Sequence, residues 1–217
     1  MVIQPKYPPV TCIFVTGIGF AFCGTVLLII SFSCPYWLES YYGTYTEFVR
    51  LGLWDVCFHN YRHPDYQYDE KFDGCHWIFS NKYQSLRDWL QPGWMMFVQA
   101  MMSIALIFCI ISLVMASLVL MRYFMKYEIF ILICSFILEL ATALPVFLAV
   151  CVFGGLCFDR SWIQYPNFNH LSWAYALAVI SFAVHTVAGI LFLKEAFKAN
   201  ERRRRAHSIA YDLATKY

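Results

Sequence analysis

Four long apolar stretches divide the chain, and each is long enough to cross a lipid bilayer. They cover about residues 10–34, 94–121, 129–157 and 171–193, and a helix crosses the hydrocarbon core in about 20 residues. Glu139 is the one residue of a charged type within them. The pattern therefore predicts an α-helical integral membrane protein. Its four spans should form a transmembrane four-helix bundle that is left-handed, as most such bundles are.

Two polar loops connect the predicted spans on one side, and they differ greatly in length. The first loop covers about residues 35–91, and the second loop covers about residues 158–170. Within the first loop, residues 36–48, 50–59 and 74–80 are rich in the aromatic and β-branched residues that strands favour, with glycine, asparagine or proline near their ends. The first loop is therefore expected to form a small extracellular antiparallel β-sheet on top of the bundle.

Composition and charge support a membrane protein and give its orientation. Hydrophobic residues make up 60% of the chain, charged residues make up 14%, and the mean hydropathy is +0.55. Soluble proteins carry about 25% charged residues, so a soluble domain is excluded. Ten bases and four acids lie in the segments on the side of the termini, which include the tail at about residues 194–217. The first loop, on the other side, holds five bases and eight acids. Because bases accumulate on the cytoplasmic side, we expect both termini of this multi-pass plasma-membrane protein to be cytoplasmic.

The first loop also contains an ordered motif. Trp37 is followed by Gly52-Leu53-Trp54-Asp55-Val56-Cys57 and then by Cys75. This order resembles the signature of the claudin superfamily, which includes claudins, peripheral-myelin and epithelial-membrane proteins, and gamma/stargazin-like channel subunits. The two cysteines are farther apart than is usual in that family, so the resemblance indicates a divergent member, similar to the invertebrate claudin-like proteins of septate junctions.

The cysteine pair has two interpretations. Outside the cell a disulfide between Cys57 and Cys75 is the default, and claudin-like proteins use this pair as a disulfide. Alternatively, both cysteines together with His59, His63 and His76 have the chemistry of a zinc site. We expect the disulfide, with no metal and no cofactor. Cys34 and Cys157 lie near outer ends of spans, and their pairing is left open.

The other signature residues are expected to be structural. The indoles of Trp37 and Trp54 and the side chain of Leu53 should bury against the outer span ends, and Gly52 should allow a close backbone approach or a bulge. The resemblance implies that Asp55 is a pore-lining charge that favours cations. The alternative is that Asp55 belongs to a solvated face.

Three further groups of residues carry hypotheses. Glu139 and His185 lie at similar depths in the third and fourth spans, roughly 12–15 Å from the cytoplasmic side, and are expected to pair, either as a proton or ion path or as a packed, neutral, hydrogen-bonded pair. The cluster Arg202-Arg203-Arg204-Arg205 is expected to contact anionic lipid or only to fix topology, and Ser208 is a candidate phosphorylation site. The C-terminal 215–217 sequence, Thr-Lys-Tyr, suggests binding to a cytoplasmic scaffold.

The sequence favours a structural function over catalysis. It contains no nucleophile–base pairing, phosphate-binding glycine loop or paired carboxylates that would indicate an enzyme, and no nucleic-acid partner is expected. The resemblance implies a cell–cell junction protein that associates with like proteins in cis and in trans to form a paracellular barrier or selective pore. The alternative is an auxiliary subunit of an ion channel or receptor, as in the gamma/stargazin-like branch.

Overall fold

The computed structural model describes residues 11–43, 46–62, 71–123, 125–163 and 165–214, with side chains as far as residue 211. Five α-helices and five β-strands form within these ranges. The helices are α1 (Cys12–Ser33), α2 (Arg87–Leu90), α3 (Gly93–Leu120), α4 (Glu128–Leu156) and α5 (Trp173–Ala214). The strands are β1 (Leu38–Ser40), β2 (Phe48–Leu51), β3 (Asp55–Tyr61), β4 (Phe72–Trp77) and β5 (Asn169–Leu171).

Helices α1, α3, α4 and α5 are long and apolar enough to cross a membrane. The closest packing joins α3 with α4, α4 with α5, and α5 with α1, and further contacts between α1 and α3 close a four-helix bundle. Large apolar side chains also cover the outside of the helices, among them Phe22, Ile107, Leu144 and Ile190. A helix that is apolar all round is stable only when lipid or protein surrounds it. The predicted four-helix membrane bundle is therefore confirmed.

The five strands form one antiparallel sheet in the order β4-β3-β2-β1-β5, which confirms the predicted small antiparallel sheet. The strand at residues 50–59 was predicted wrongly as one element. The structure breaks it at Gly52–Trp54 into β2 and β3, because Gly52 turns the chain back on itself and its N–H donates to the carbonyl of Asp55 at 2.8 Å. The second loop adds β5 beside β1, a pairing that the sequence analysis did not predict.

The two faces of the sheet have different environments. Leu38, Leu51 and Val56 are aligned across β1, β2 and β3, and all three are buried in a core shared with the outer ends of the helices. Because neighbouring side chains of a strand alternate between faces, Arg50 and Cys57 lie on the opposite, outward face. One face of the sheet is thus buried against the bundle, and the other face points away from it.

Helix α5 is much longer than a bilayer is thick. Its 42 residues span about 63 Å at 1.5 Å per residue, against about 30 Å for the hydrocarbon core. Most of the tail is therefore a continuation of the fourth span that leaves the bundle at the end opposite the sheet.

Candidate functional site

Trp37 joins the sheet to three helices. Its side chain is fully buried, and its indole Nε1 donates to the carbonyl oxygen of Ser31 in α1 at 2.8 Å. Its ring meets Phe153 of α4 edge-on, with 4.9 Å between the ring centroids, and lies 5.7 Å from the ring of Tyr175 in α5. Its main chain bonds Leu51 of β2 and Ser172 at the start of α5. A rotation of the sheet against the bundle would break several of these contacts together.

Gly52 lies where the turn between β2 and β3 touches the end of α1. A Cβ atom at this position would lie 2.5 Å from Cα of Pro35 and 2.7 Å from the carbonyl oxygen of Cys34. Both distances are below van der Waals contact, and both atoms belong to the backbone. The position therefore accepts glycine because it has no side chain.

Leu53 and Trp54 anchor the same turn on the other side. Leu53 is fully buried, and its carbonyl oxygen accepts a hydrogen bond from Nε2 of Gln99 in α3 at 2.6 Å. The ring of Trp54 lies 5.2 Å from the ring of Phe32 in α1. The turn is thus tied to the first and second spans. The sequence did not predict this role of Gln99, because an isolated amide in an apolar segment does not indicate a hydrogen-bond partner 46 residues away.

Cys57 and Cys75 form a disulfide across β3 and β4, which confirms that prediction. The zinc interpretation is wrong, because neither sulfur is then available as a thiolate ligand. Among the described residues no cluster of three or more potential metal ligands occurs, and His63 lies outside them. The histidines make other contacts. Nδ1 of His59 lies 3.3 Å from Asp73, and Nε2 of His76 lies 2.9 Å from Nζ of Lys82.

Tyr83 packs against strands β3 and β4 and contacts the backbone of both. Its side chain is buried, and its hydroxyl donates toward the carbonyl oxygens of Val56 at 3.4 Å and Gly74 at 3.3 Å. Burial, with a further contribution from the charge of Asp73, raises the pKa of Tyr83 to about 12. The phenol therefore stays a hydrogen-bond donor over the whole physiological pH range.

Asp55 lies on the outward face of the sheet. It is paired in register with the exposed Trp77 and is itself half-buried. No cation of the residues that the structure describes lies within 4 Å of its carboxylate. Its charge is thus available to solvent and to ions near the sheet.

Aromatic side chains from both loops meet at the β1–β5 edge of the sheet. The ring of Tyr41 stacks on that of His170 at 4.7 Å, and the N–H of Tyr41 donates to the carbonyl oxygen of Phe168 at 2.8 Å. Tyr41, Tyr42 and Phe168 are exposed. We call these four residues the aromatic rim. Three of them, Tyr41, Tyr42 and His170, border an open groove of about 410 Å³ that extends to Phe48.

A cluster of polar side chains lies inside the bundle. Glu139 and His185 are both fully buried, and one carboxylate oxygen of Glu139 lies 2.6 Å from Nδ1 of His185. The other oxygen accepts a hydrogen bond from Ser112 Oγ at 2.6 Å. Gly24 of α1 packs against the same imidazole, since a Cβ there would lie 2.9 Å from Nε2. The contacts of Ser112, Glu139 and His185, which we call the buried cluster, favour a packed hydrogen-bonded arrangement that links the spans.

The four arginines of the tail have different surroundings. Arg202 lies 2.8 Å from Glu195, which is buried, and 3.5 Å from Glu128 of α4. Arg205 pairs with Glu201 one helical turn away. Arg203 and Arg204 are exposed. The lipid hypothesis therefore applies best to Arg203 and Arg204, since Arg202 points into an ion-pair network between helices.

Ser208 is exposed on α5, and its hydroxyl donates to the carbonyl oxygen of Arg205 at 3.0 Å. Its phosphorylation stays a prediction. The scaffold-binding hypothesis concerns residues 215–217, which lie outside the described residues.

Cys34 and Cys157 are both free, so they do not form a second disulfide.

The comparisons with known proteins agree with this architecture. A search of curated protein sequences found no match. A sequence model of the family described as "PMP-22/EMP/MP20/Claudin tight junction" matches residues 22–194 of the 217. The matched range begins within α1 and ends within α5, so it includes the signature, the disulfide, both loops and part of every span. The chain therefore belongs to the PMP-22/EMP/MP20/claudin family of membrane proteins.

Proposed function

We propose that this chain is a cell–cell junction protein that binds like proteins in its own membrane and on the neighbouring cell. Family membership gives it a function of the claudin or PMP-22/EMP type, and the proposal narrows that to control of paracellular diffusion. In this account both termini are cytoplasmic and the sheet lies in the space between cells. The long separation of Cys57 and Cys75 suggests a divergent member, comparable to invertebrate septate-junction proteins. No enzymatic activity is proposed.

The observation that carries the proposal is the aromatic rim. Aromatic residues are enriched in protein–protein interfaces, and large apolar side chains grouped on a surface mark interaction sites. Tyr42 is fully exposed, and Tyr41 and Phe168 are half or nearly half exposed, at 51% and 45%. Because both loops contribute, a partner at the rim would contact both at once. A contact with the opposite cell requires such a surface.

The signature residues support the same proposal by making the rim rigid. Trp37 connects β1 to α1, α4 and α5, and Gly52 lets the β2–β3 turn lie directly on the end of α1. A surface held in its binding geometry loses little entropy when a partner binds. The sheet is therefore suited to repeated, identical contacts between many copies.

The negative charge of Asp55 favours a cation-selective pore over a non-selective barrier within this proposal. The first loop carries eight acids and five bases, and Asp55 faces outward without an ion-pair partner among the described residues. An acidic surface along a narrow aqueous path attracts cations and repels anions. We infer that diffusion past this protein would favour cations.

The test is the distribution of a tagged copy in a mixed layer of expressing and non-expressing cells. A junction protein accumulates where two expressing cells meet and stays low where only one cell expresses it. Tyr42→Ser should reduce that accumulation while leaving the surface amount unchanged. Tyr123→Ser is the matched control, because Tyr123 is exposed on the turn between α3 and α4, at the other end of the bundle. Even distribution together with co-purification of an ion channel would contradict the proposal and support the auxiliary-subunit alternative.

A further inference from the structure

Arg50 lies directly against the Cys57–Cys75 disulfide. In the sheet, Arg50 of β2 is opposite Cys57 of β3, and Cys57 is opposite Cys75 of β4, so the three side chains form a row on the outward face. Nε of Arg50 donates to Cys57 Sγ at 3.2 Å, and Nη2 donates to Cys75 Sγ at 3.6 Å. The guanidinium therefore contacts both sulfurs.

The position of this charge is fixed. Nη1 of Arg50 donates to the hydroxyl of Tyr36, and the guanidinium carbon lies 4.5 Å from the centroid of the Tyr36 ring. The Tyr36 ring in turn lies 5.2 Å from that of Trp173 at the start of α5. Within the part of the chain that the structure describes, no carboxylate lies within 4 Å of the guanidinium. Its positive charge is thus directed at the sulfurs and is not neutralised by an ion pair.

The two cysteines differ in access. Cys57 is 1% exposed, whereas Cys75 is exposed on β4. Thiol–disulfide exchange begins when a thiolate attacks one sulfur, and its rate depends on access to that sulfur and on the stability of the thiolate that leaves. An external thiolate therefore reaches Cys75, and the leaving sulfur is Cys57, the one closer to the guanidinium.

We propose that the Cys57–Cys75 bond is a reversible exchange site for an external low-molecular-weight thiol, with Arg50 stabilising the departing thiolate. The reagent sulfur forms a bond to Cys75 as the Cys57–Cys75 bond breaks, and the electron pair of that bond leaves on Cys57 Sγ. A second reagent thiolate then attacks the mixed disulfide and releases Cys75. In total two reagent thiols are oxidised to one disulfide and the protein disulfide is reduced. One of the two protons ends on Cys75 and the other goes to solvent, because Cys57 stays a thiolate beside Arg50.

The consequence concerns strand β4. Among the strands that the structure describes, β4 is at an edge of the sheet and pairs only with β3, so the disulfide is its covalent cross-link to the neighbouring strand. Reduction would leave β4 held by its ladder hydrogen bonds and by contacts such as that of Tyr83 with Gly74. The redox state of the intercellular space would thereby change the outward surface that this edge presents.

The first test measures the equilibrium with glutathione. Full-length wild type, Arg50→Gln and Lys71→Gln are placed in lipid nanodiscs, equilibrated in buffers of graded glutathione redox ratio, quenched with acid and alkylated. Loss of the guanidinium removes the stabilisation of the thiolate product. The disulfide of Arg50→Gln should therefore be about tenfold harder to reduce, or about 30 mV lower in potential. Lys71→Gln removes one positive charge from the same loop and should stay within about twofold of wild type.

The direction in which the reduction potential changes in Arg50→Gln distinguishes this proposal from a purely structural role of Arg50. If Arg50 only supported the sheet, its loss would loosen the strands and make the disulfide easier to reduce. An unchanged or more easily reduced disulfide in Arg50→Gln would overturn the proposal.

A second test uses the wild type alone and does not depend on how the variant folds. Brief exposure to glutathione, acid quenching and peptide mass spectrometry should locate the glutathione adduct on Cys75. An adduct on Cys57, or no adduct in buffers that reduce the disulfide, would contradict the route.

Discussion

Gly52 fixes the distance between the sheet and the first span. The chain at Gly52 lies so close to Pro35 and Cys34 that an added Cβ would overlap backbone atoms, which cannot rotate away as a flexible side chain would. Relief of the overlap requires the β2–β3 turn to rise from the end of α1. Leu53 and Trp54 would then lose part of their packing.

Gly52→Ala should therefore destabilise the protein by about 1–3 kcal/mol, the usual cost of overpacking. Thermal unfolding of the purified protein in detergent would measure the effect, with a lower melting temperature as the expected result. Gly93→Ala is the control, because a Cβ at Gly93 meets nothing within 4 Å. Equal melting temperatures for the two variants would mean that the close approach at Gly52 is not needed.

The roles of single residues could be predicted only where residue type restricts them. A glycine and two tryptophans in a polar loop between two spans have few roles besides close approach and burial, so the structural interpretation of Trp37, Gly52 and Trp54 followed from the sequence. Arg50 has no such restriction. Its contact with the disulfide depends on the register of β2 against β3, and the sequence analysis had merged those strands.

At the scale of elements, the buried cluster connects spans that apolar contacts alone would hold in several arrangements. Lipid is as apolar as leucine, so association of helices in a membrane relies on close packing and on hydrogen bonds between helices. Ser112 of α3, Glu139 of α4 and His185 of α5 supply such bonds. The cluster thereby defines which faces of these three helices meet.

Glu139→Leu keeps most of the volume of the side chain but leaves Ser112 and His185 without their shared partner. We expect a loss of about 1–3 kcal/mol for the two bonds, measured as a lower melting temperature. Glu139→Gln keeps an acceptor for Ser112 and should retain most of the stability. Equal destabilisation by both substitutions would show that the carboxylate charge, and not the hydrogen bonding, is required.

The tail helix gives a second prediction at this scale. Arg202→Gln removes the cation beside the buried Glu195 and should cost about 1–3 kcal/mol. Arg203→Gln removes an exposed cation and should leave thermal stability unchanged, while it weakens attraction to anionic lipid by about 1 kcal/mol. Melting temperatures of the two variants would test this difference. Equal melting temperatures would contradict the ion-pair role of Arg202.

The elements differ in how far the sequence predicts them. Each span was predictable because about 20 consecutive apolar residues have few alternatives to a membrane helix. The number and order of the strands were not predictable from the sequence. A three-residue strand such as β5 forms because it pairs with a neighbouring strand, and its own composition does not identify it. Pairing of β5 with β1 joins residues 129 to 133 positions apart, and no local pattern contains that information.

For the whole molecule, the proposed function requires the outward face of the sheet to lie along the path between cells. If Asp55 lies along that path, Asp55→Asn should lower the preference for cations over anions, because the negative charge that attracts cations is removed. Dilution potentials across an epithelial layer would measure the change. Asp88→Asn is the control, since it removes an exposed acid of the same loop from α2. An unchanged dilution potential in Asp55→Asn, with normal localisation, would assign Asp55 to a solvated face.

In the proposed function, copies of this protein on adjoining cells together restrict diffusion between the cells. Flux of a small uncharged tracer across a layer of epithelial cells that lack their own junction strands tests this claim most directly. Expression of the wild type should lower the flux, and the Tyr42→Ser variant at an equal surface amount should lower it less. A flux equal to that of non-expressing cells, despite wild-type protein at continuous cell borders, would contradict the account.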